Sequence, residues 1–388
     1  MPAPFASRTA AWRVIASFAA WSLVAIGTEG MDRITVRRDG EEIRLEGKIL
    51  LTAGDGGVLL EARDGQLWAV TADQLAARSE TPAPFESYSS AELGESLLAE
   101  LPAGFQLHET AHYLICYNTS KAYASWCGSL FERLYGASDN YWTRRGFEIH
   151  EPKGPLIVLV FADQRSYESF AKRDLGDAAG SIVAYYSLQS NRVAMYDLTG
   201  SEAIRAANGR RGSLRQINAM LSRPEAAPMV ATIVHEATHQ IAYNSGLQKR
   251  YTDVPLWVSE GLAIYFETPD LKSQRGWRGI GQVNRPRLAT FQQNLAGRAP
   301  GSLARLLSSD TQMRDVETAA DAYAEAWALT FYLMRQRPEQ YAAYLKMLAK
   351  KEHLVWGNGE ERLREFQTHF GDIQELEADF VATMAKLR

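Results

Sequence analysis

Cysteine is nearly absent, with Cys116 and Cys127 the only two in 388 residues. At most one disulfide could form, and only in an oxidising compartment. Cys116 falls in a β-like run and Cys127 in a helix-like one, so two buried free thiols are the simpler expectation. A basic excess is missing too: the net charge is −4 and the pI about 6.0, which argues against nucleic acid and leaves a peptide or protein partner open. Repeats and low-complexity tracts are lacking. The apolar run from Val14 to Gly27, preceded by Arg8 and Arg13, is too short for an ordinary membrane span. It has the form of an export signal with small residues, Ala25 and Gly27, at a cleavage site; an uncleaved anchor is the alternative. Residues 1–27 are therefore expected to be a signal peptide. The chain would be exported to the periplasm, cell envelope or medium and meet a membrane only through that signal.

The sequence is otherwise rich in core-forming residues, 46% hydrophobic, enough for more than one domain. Residues 28–78 hold short alternating runs, 42–46, 48–52, 58–61 and 66–70, with glycine turns between them. They predict a small β-domain of barrel-like, SH3-like form, without histidine or cysteine. Residues 79–100 open with two prolines and four serines in twelve residues, and are expected to be a linker. From 101 to 388 the pattern predicts strands near 107–117 and 156–161, helices near 120–145 and 164–173, and a hairpin of 181–186 with 192–197. An almost wholly helical region follows residue 201, broken by a Gly- and Arg-rich insertion near 270–300. The fold class is α+β.

Two stretches satisfy H-E-x-x-H, a pattern that can place two histidines on one metal with a glutamate base between them: HETAH at 108–112 and HEATH at 235–239. In a helix, positions four apart share a face with Cβ atoms roughly 6 Å apart. In a strand they are about 13 Å apart, too far for one zinc. Phe105 to Tyr117 alternates and is rich in β-formers, so His108 and His112 are expected on a strand, with Glu132 a decoy third ligand. Pro228 to Asn244 carries apolar residues at helical spacing, so His235 and His239 should face one metal with Glu236 beside them. A second amphipathic segment, Pro255 to Glu267, brings Glu260 21 residues past His239. Two histidines and a glutamate with an open fourth position form a known catalytic zinc set. Glu267 is a competing ligand two turns further on.

Trp257, Glu260, Gly261 and Ala263 match the W-x-x-E-G-x-A form of the second ligand helix in gluzincin metallopeptidases, which the chain resembles at this point. With His112–Ile115 and Asn191–Asp197 added, it resembles more narrowly an uncharacterised family of exported bacterial peptidase-like proteins, over roughly residues 105–350. The resemblance implies Zn2+ on His235, His239 and Glu260, a water activated by it, and Glu236 as general base in peptide hydrolysis. In several gluzincin families a tyrosine on a following helix stabilises the oxyanion; Tyr323 stands for it here, although it also fits an apolar stripe with Trp327 and Phe331. Tyr265 and His353 are the runners-up. An acid one turn after the ligand, which commonly orients a zinc histidine in gluzincins, is missing, because Ala263 and Ile264 occupy those positions.

Substrate is expected along the hairpin ending Val193–Tyr196. Seven basic residues and no acid between Leu271 and Ser309 suggest a solvated surface or a carboxylate-binding role. The competing function is a catalytically weak or inactive peptidase-like protein that serves the cell envelope as a binding or scaffold component.

Overall fold

The computed structural model describes residues 30–388 except 39, 201–212, 269–276 and 278. The expected signal peptide and the start of the Arg-rich insertion, with Lys272, Arg275 and Arg278, lie outside the described residues. The architecture is mixed α+β, with two five-stranded sheets and thirteen α-helices among the described residues.

The first sheet comprises β1 (Gly30–Arg38), β2 (Glu41–Thr52), β3 (Val58–Ala62), β4 (Leu67–Val70) and β5 (Leu75–Pro84), in the order β4-β3-β2-β1-β5. It is antiparallel throughout and does not close, because β4 and β5 pair only with β3 and β1. The barrel expectation is thus corrected to an open sheet. The two runs read as separate strands, 42–46 and 48–52, are one strand that passes through Gly47. That glycine is needed where β3 approaches, since a Cβ there would sit 2.8 Å from the Leu60 side chain and press on the Glu61 carbonyl.

The expected linker 79–100 is also corrected. Its first part completes β5, whose Pro82 and Pro84 are tolerated because the strand lies at an edge. Its second part is α1 (Ser90–Glu100), started by a capping box in which Ser89 and Glu92 each bond the other's backbone N–H. Serines that suggest a loop by composition were in part a helix start.

The second sheet contains β6 (Gln106–Glu109), β7 (Tyr113–Tyr117), β8 (Leu156–Phe161), β9 (Ala184–Tyr186) and β10 (Arg192–Tyr196), in the order β6-β7-β8-β10-β9. The β7–β8 and β8–β10 pairs are parallel, with α2 (Lys121–Thr143) and α3 (Gln164–Leu175) following β7 and β8. The strand predicted for 107–117 is a tight hairpin, with His108 opposite Ile115. β10 is interior, so the edge of the sheet on this side is β9, itself buried, rather than the Val193–Tyr196 strand on which substrate was expected.

Helices form the rest: α4 (Leu214–Leu221), α5 (Ala227–Asn244), α6 (Leu256–Phe266), α7 (Arg285–Asn294), α8 (Ser302–Ser308), α9 (Thr311–Arg314), α10 (Ala319–Gln336), α11 (Pro338–Ala349), α12 (Gly359–Phe370) and α13 (Ile373–Lys386). α5 lies against β9 and β10 on one side and α6 on the other, and α6 in turn packs on α10. Every residue of α6 from Trp257 to Phe266 is buried, so this helix is held on all sides.

The first sheet rests on the second region beside the β9–β10 turn. Leu59 and Leu67 pack with Leu354, Leu67 N–H donates to the Gln189 carbonyl at 2.8 Å, and Arg250 donates to the carbonyls of Gly65 (2.9 Å) and Leu188 (3.1 Å). The turn that follows β9 is therefore fixed from both units. No helix among the described residues is long and apolar enough to cross a membrane. Cys116 and Cys127 are free and buried, and burial pushes Cys116 up to about 12, so both are protonated core thiols.

Candidate metal centre

α5 begins with Pro228 in its first turn, where a missing N–H costs nothing, and ends before Gly246, whose φ of 87° suits glycine. Its helical geometry puts His235 and His239 on the face toward α6. Glu260 projects from α6 to meet them, and one ligand atom from each residue lies within 4.8 Å of the others. The two Nε2 atoms are 3.2 Å apart, and Glu260 reaches His235 Nε2 at 3.0 Å and His239 Nε2 at 3.5 Å. Two nitrogens bound at about 2.0–2.1 Å with a tetrahedral angle would be separated by roughly 3.3 Å, so this spacing suits one ion.

Gly261 explains how the ligand helix comes so close to its support. A Cβ at 261 would stand 2.7 Å from the Ala326 carbonyl oxygen and run into Thr330 Oγ1 on α10. The glycine of the E-G pair is thus a packing requirement that sets the depth of Glu260.

The outer nitrogens are held as well. His235 Nδ1 lies 3.1 Å from Glu267 Oε2, and Asn284 Nδ2 donates to the other oxygen of that carboxylate at 2.7 Å. His239 Nδ1 lies 3.3 Å from Ser259 Oγ, which donates to Gln248 Oε1 at 3.3 Å. In the tautomer in which both Nδ1 atoms donate outward, both Nε2 lone pairs point to the place that Glu260 also faces. The donor set therefore fits a cation bound by neutral imidazoles and a carboxylate. The acid absent at 263 and 264 is supplied by Glu267. Seven residues are two helical turns, so Glu260 and Glu267 share a face of α6, one toward Nε2 and the other toward Nδ1. That periodicity was the available signal, and the sequence analysis used it only to set Glu267 as a rival ligand.

Burial would lower the His235 imidazole, but hydrogen bonds to Glu260 and Glu267 and the charges of Glu260 and Glu236 outweigh it and raise it to about 9. Three carboxylates crowd one buried ring, and the site consequently attracts positive charge. Glu236 is 2% exposed, and its Oε2 accepts the Tyr186 N–H of β9 at 2.8 Å. This link between the base position and the sheet edge has no sequence signature, because its donor is backbone.

Tyr323 lies on α10, the helix against α6, one turn before Ala326; it is 1% exposed, with the Arg287 guanidinium 6.0 Å from its ring. Tyr265 is bonded to Tyr141 hydroxyl to hydroxyl at 3.0 Å, and His353 Nδ1 to the Arg250 carbonyl at 2.9 Å. The HETAH pair is split by the β6–β7 turn: His112 Nδ1 pairs with Glu132 at 2.7 Å and stacks on Tyr135, while Glu132 also takes Thr110 Oγ1 and the His112 N–H. The decoy carboxylate thus caps a hairpin. Among the described residues, His235, His239 and Glu260 are the group of three whose ligand atoms converge.

Residues 229–354 match the family described as "Protein of unknown function (DUF1570)". The matched segment holds α5, α6, α10 and α11, and with them His235, Glu236, His239, Glu260 and Tyr323; the description assigns no activity. His112–Ile115 and Asn191–Asp197, which contributed to the resemblance over 105–350, lie outside it. No curated protein matches the chain.

Proposed function

We propose that the chain is an exported, gluzincin-type zinc peptidase. The observation that carries this reading is the convergence of two Nε2 atoms and the Glu260 carboxylate, each imidazole fixed from behind, with the Glu236 carboxylate beside them and tied to the buried edge strand β9. His235, His239 and Glu260 would hold Zn2+. The ion would supply Lewis acidity, which lowers the pKa of water and polarises a carbonyl.

The chain's own residues do the remainder. Glu236, on the same helix turn as His235, takes the proton of the attacking water and passes it to the departing amine. Its anchoring by the Tyr186 N–H fixes the carboxylate orientation before substrate arrives. Since that N–H points away from β10, the alternation of an antiparallel strand turns the Ala184 N–H and C=O the same way, toward the covered side of the strand. Tyr323 is assigned the role of oxyanion donor.

The test is cleavage of a mixed-sequence peptide library, read by mass spectrometry. Fragments are expected from wild type and none from Glu236→Gln with equal zinc content. Equal cleavage by the two proteins would reject the assignment of the base.

A further inference from the structure

Glu236, Gln240 and Asn244 stand four residues apart on α5 and so share one face of the helix. Each of them meets the β9–β10 hairpin. Glu236 Oε2 accepts the Tyr186 N–H at 2.8 Å, and Gln240 Nε2 donates to the Asn191 carbonyl at 2.9 Å. Asn244 forms a reciprocal amide pair with Asn191: Asn191 Nδ2 donates to Asn244 Oδ1 at 2.8 Å, and Asn244 Nδ2 donates to Asn191 Oδ1 at 2.7 Å. Gln240 and Asn244 thus end on the same residue of the hairpin.

Asn191 also closes the path back to Glu236. Its Oδ1 accepts the Tyr186 hydroxyl at 2.7 Å, and its N–H donates to the Ser187 carbonyl at 2.8 Å, which shapes the turn. Tyr186 is therefore held at both ends, its N–H on Glu236 and its hydroxyl on Asn191. The φ of Asn191 is 60°, in the left-handed region where asparagine is enriched among residues other than glycine. That conformation alone would accept glycine equally well. The bonds of the side-chain amide ask for more than the backbone shape. Gln240, next to His239, is fully buried and also donates to the Ile157 carbonyl of β8 at 2.9 Å, so α5 is fixed to the sheet at the point where Asn191 joins it.

We propose that Asn191 is a positioning residue for the base: it sets the hairpin on α5 so that the Tyr186 N–H meets the Glu236 carboxylate. It acts through Tyr186 and leaves the metal ligands alone. A displacement of about 1 Å caused by a change far from the reacting atoms can cost about 10²-fold in rate, which is the scale on which such a device matters. The inference rests on the peptidase reading for what Glu236 does, and its test separates the two.

The full chain, loaded with zinc and isotopically labelled at its tyrosine nitrogens, is compared as wild type, Asn191→Gly, Asn191→Asp and Asn244→Ala. Glycine keeps the left-handed turn and removes only the amide, and the turn retains its bonds from Leu67 and Arg250, so this variant should fold. The first reading is hydrogen exchange at the Tyr186 amide, assigned from its loss in Tyr186→Phe, with the Tyr332 amide inside α10 as the measure of global opening. The second is kcat and KM on a peptide cleaved by wild type. Asn191→Gly is expected to speed exchange at Tyr186 relative to Tyr332 by about tenfold. It should lower kcat by about 10–10²-fold with KM and zinc content unchanged. Asn191→Asp, which keeps the acceptor for Tyr186, should fall between it and wild type. Asn244→Ala should give part of the effect, and the double variant no more than Asn191→Gly alone, because Asn191 is the common link. Unchanged exchange at Tyr186 in Asn191→Gly overturns the proposal, as does equal acceleration at Tyr332 or faster exchange with a wild-type kcat. If exchange responds as expected but wild type cleaves no peptide, the positioning of Glu236 stands and the peptidase reading falls; if wild type cleaves and neither exchange nor kcat responds, the Asn191 reading alone falls.

Discussion

Removing the Glu267 carboxylate should weaken metal binding without touching any ligand atom. Glu267 Oε2 fixes the buried His235 ring through Nδ1 at 3.1 Å, and half-buried Asn284 fixes Glu267 at 2.7 Å. Glu267→Ala leaves the Nδ1 donor facing a small cavity, frees the ring to turn, and removes the charge that makes Nε2 more basic. Losing such a partner typically costs 10–100-fold in metal affinity, about 1.4–2.8 kcal/mol. Glu267→Gln keeps an acceptor for Nδ1 and loses only the charge, so its loss should fall at the lower end. Asn284→Ala, one step further out, should cost less again. Competition with a chromophoric chelator at fixed pH gives the three constants. An affinity for Glu267→Ala within twofold of wild type would refute the reasoning, as would a larger loss for Asn284→Ala than for Glu267→Ala.

Gly261→Ala forces α6 away from the Ala326 carbonyl and Thr330; overpacking of this kind costs about 1–3 kcal/mol, and because Glu260 moves with the helix, thermal melts and zinc affinity should fall together, with partial recovery on adding Thr330→Ala. Arg362→Met strips one of two cationic partners from buried Asp253, which it holds at 2.6 Å while Lys351 stays at 3.0 Å, and one of two from Asp310, which caps α6; a loss of about 3 kcal/mol in urea unfolding, the low end for breaking a buried pair, is expected, and a change under 1 kcal/mol would contradict it. His353 is held down to about 4, chiefly by burial, against about 6.5 for a free imidazole. Stability from keeping it neutral is present above pH 6.5 and lost as pH falls toward 4, so His353→Gln should flatten the acid limb of the melting profile between these values. Tyr323→Phe should lower kcat by about 10²–10³-fold at unchanged zinc content if its hydroxyl serves the oxyanion, and leave kcat unaltered if it serves only the core.

The two histidine pairs were separable from sequence because the argument needed only one bit of local structure. Alternation around HETAH and helical spacing around HEATH decided it, and the hairpin and α5 follow those periods. Glu260 was reached through its spacing from His239 and the W-x-x-E-G-x-A form, not through an amphipathic face, since α6 is buried all round. The supports of the imidazoles were less legible. Glu267 lay on the right face, yet the distinction between a ligand to Nε2 and a partner to Nδ1 depends on two turns of helix rise against the tilt of α5. Asn284 and Gln248 come from other segments, and the Tyr186 N–H is backbone. Composition failed at residues 79–100, where proline marked an edge strand and serine a helix cap. The open first sheet was missed because strand count and turns do not say whether the outer strands meet.

Metal content of the purified chain, measured by plasma mass spectrometry for wild type, His239→Ala and His112→Ala, tests the central claim most directly. One zinc per chain is expected in wild type and His112→Ala, and none in His239→Ala. A wild type that takes up no zinc under supplementation, or a His112→Ala protein that loses it, would contradict the placement of the metal between α5 and α6 and with it the peptidase reading.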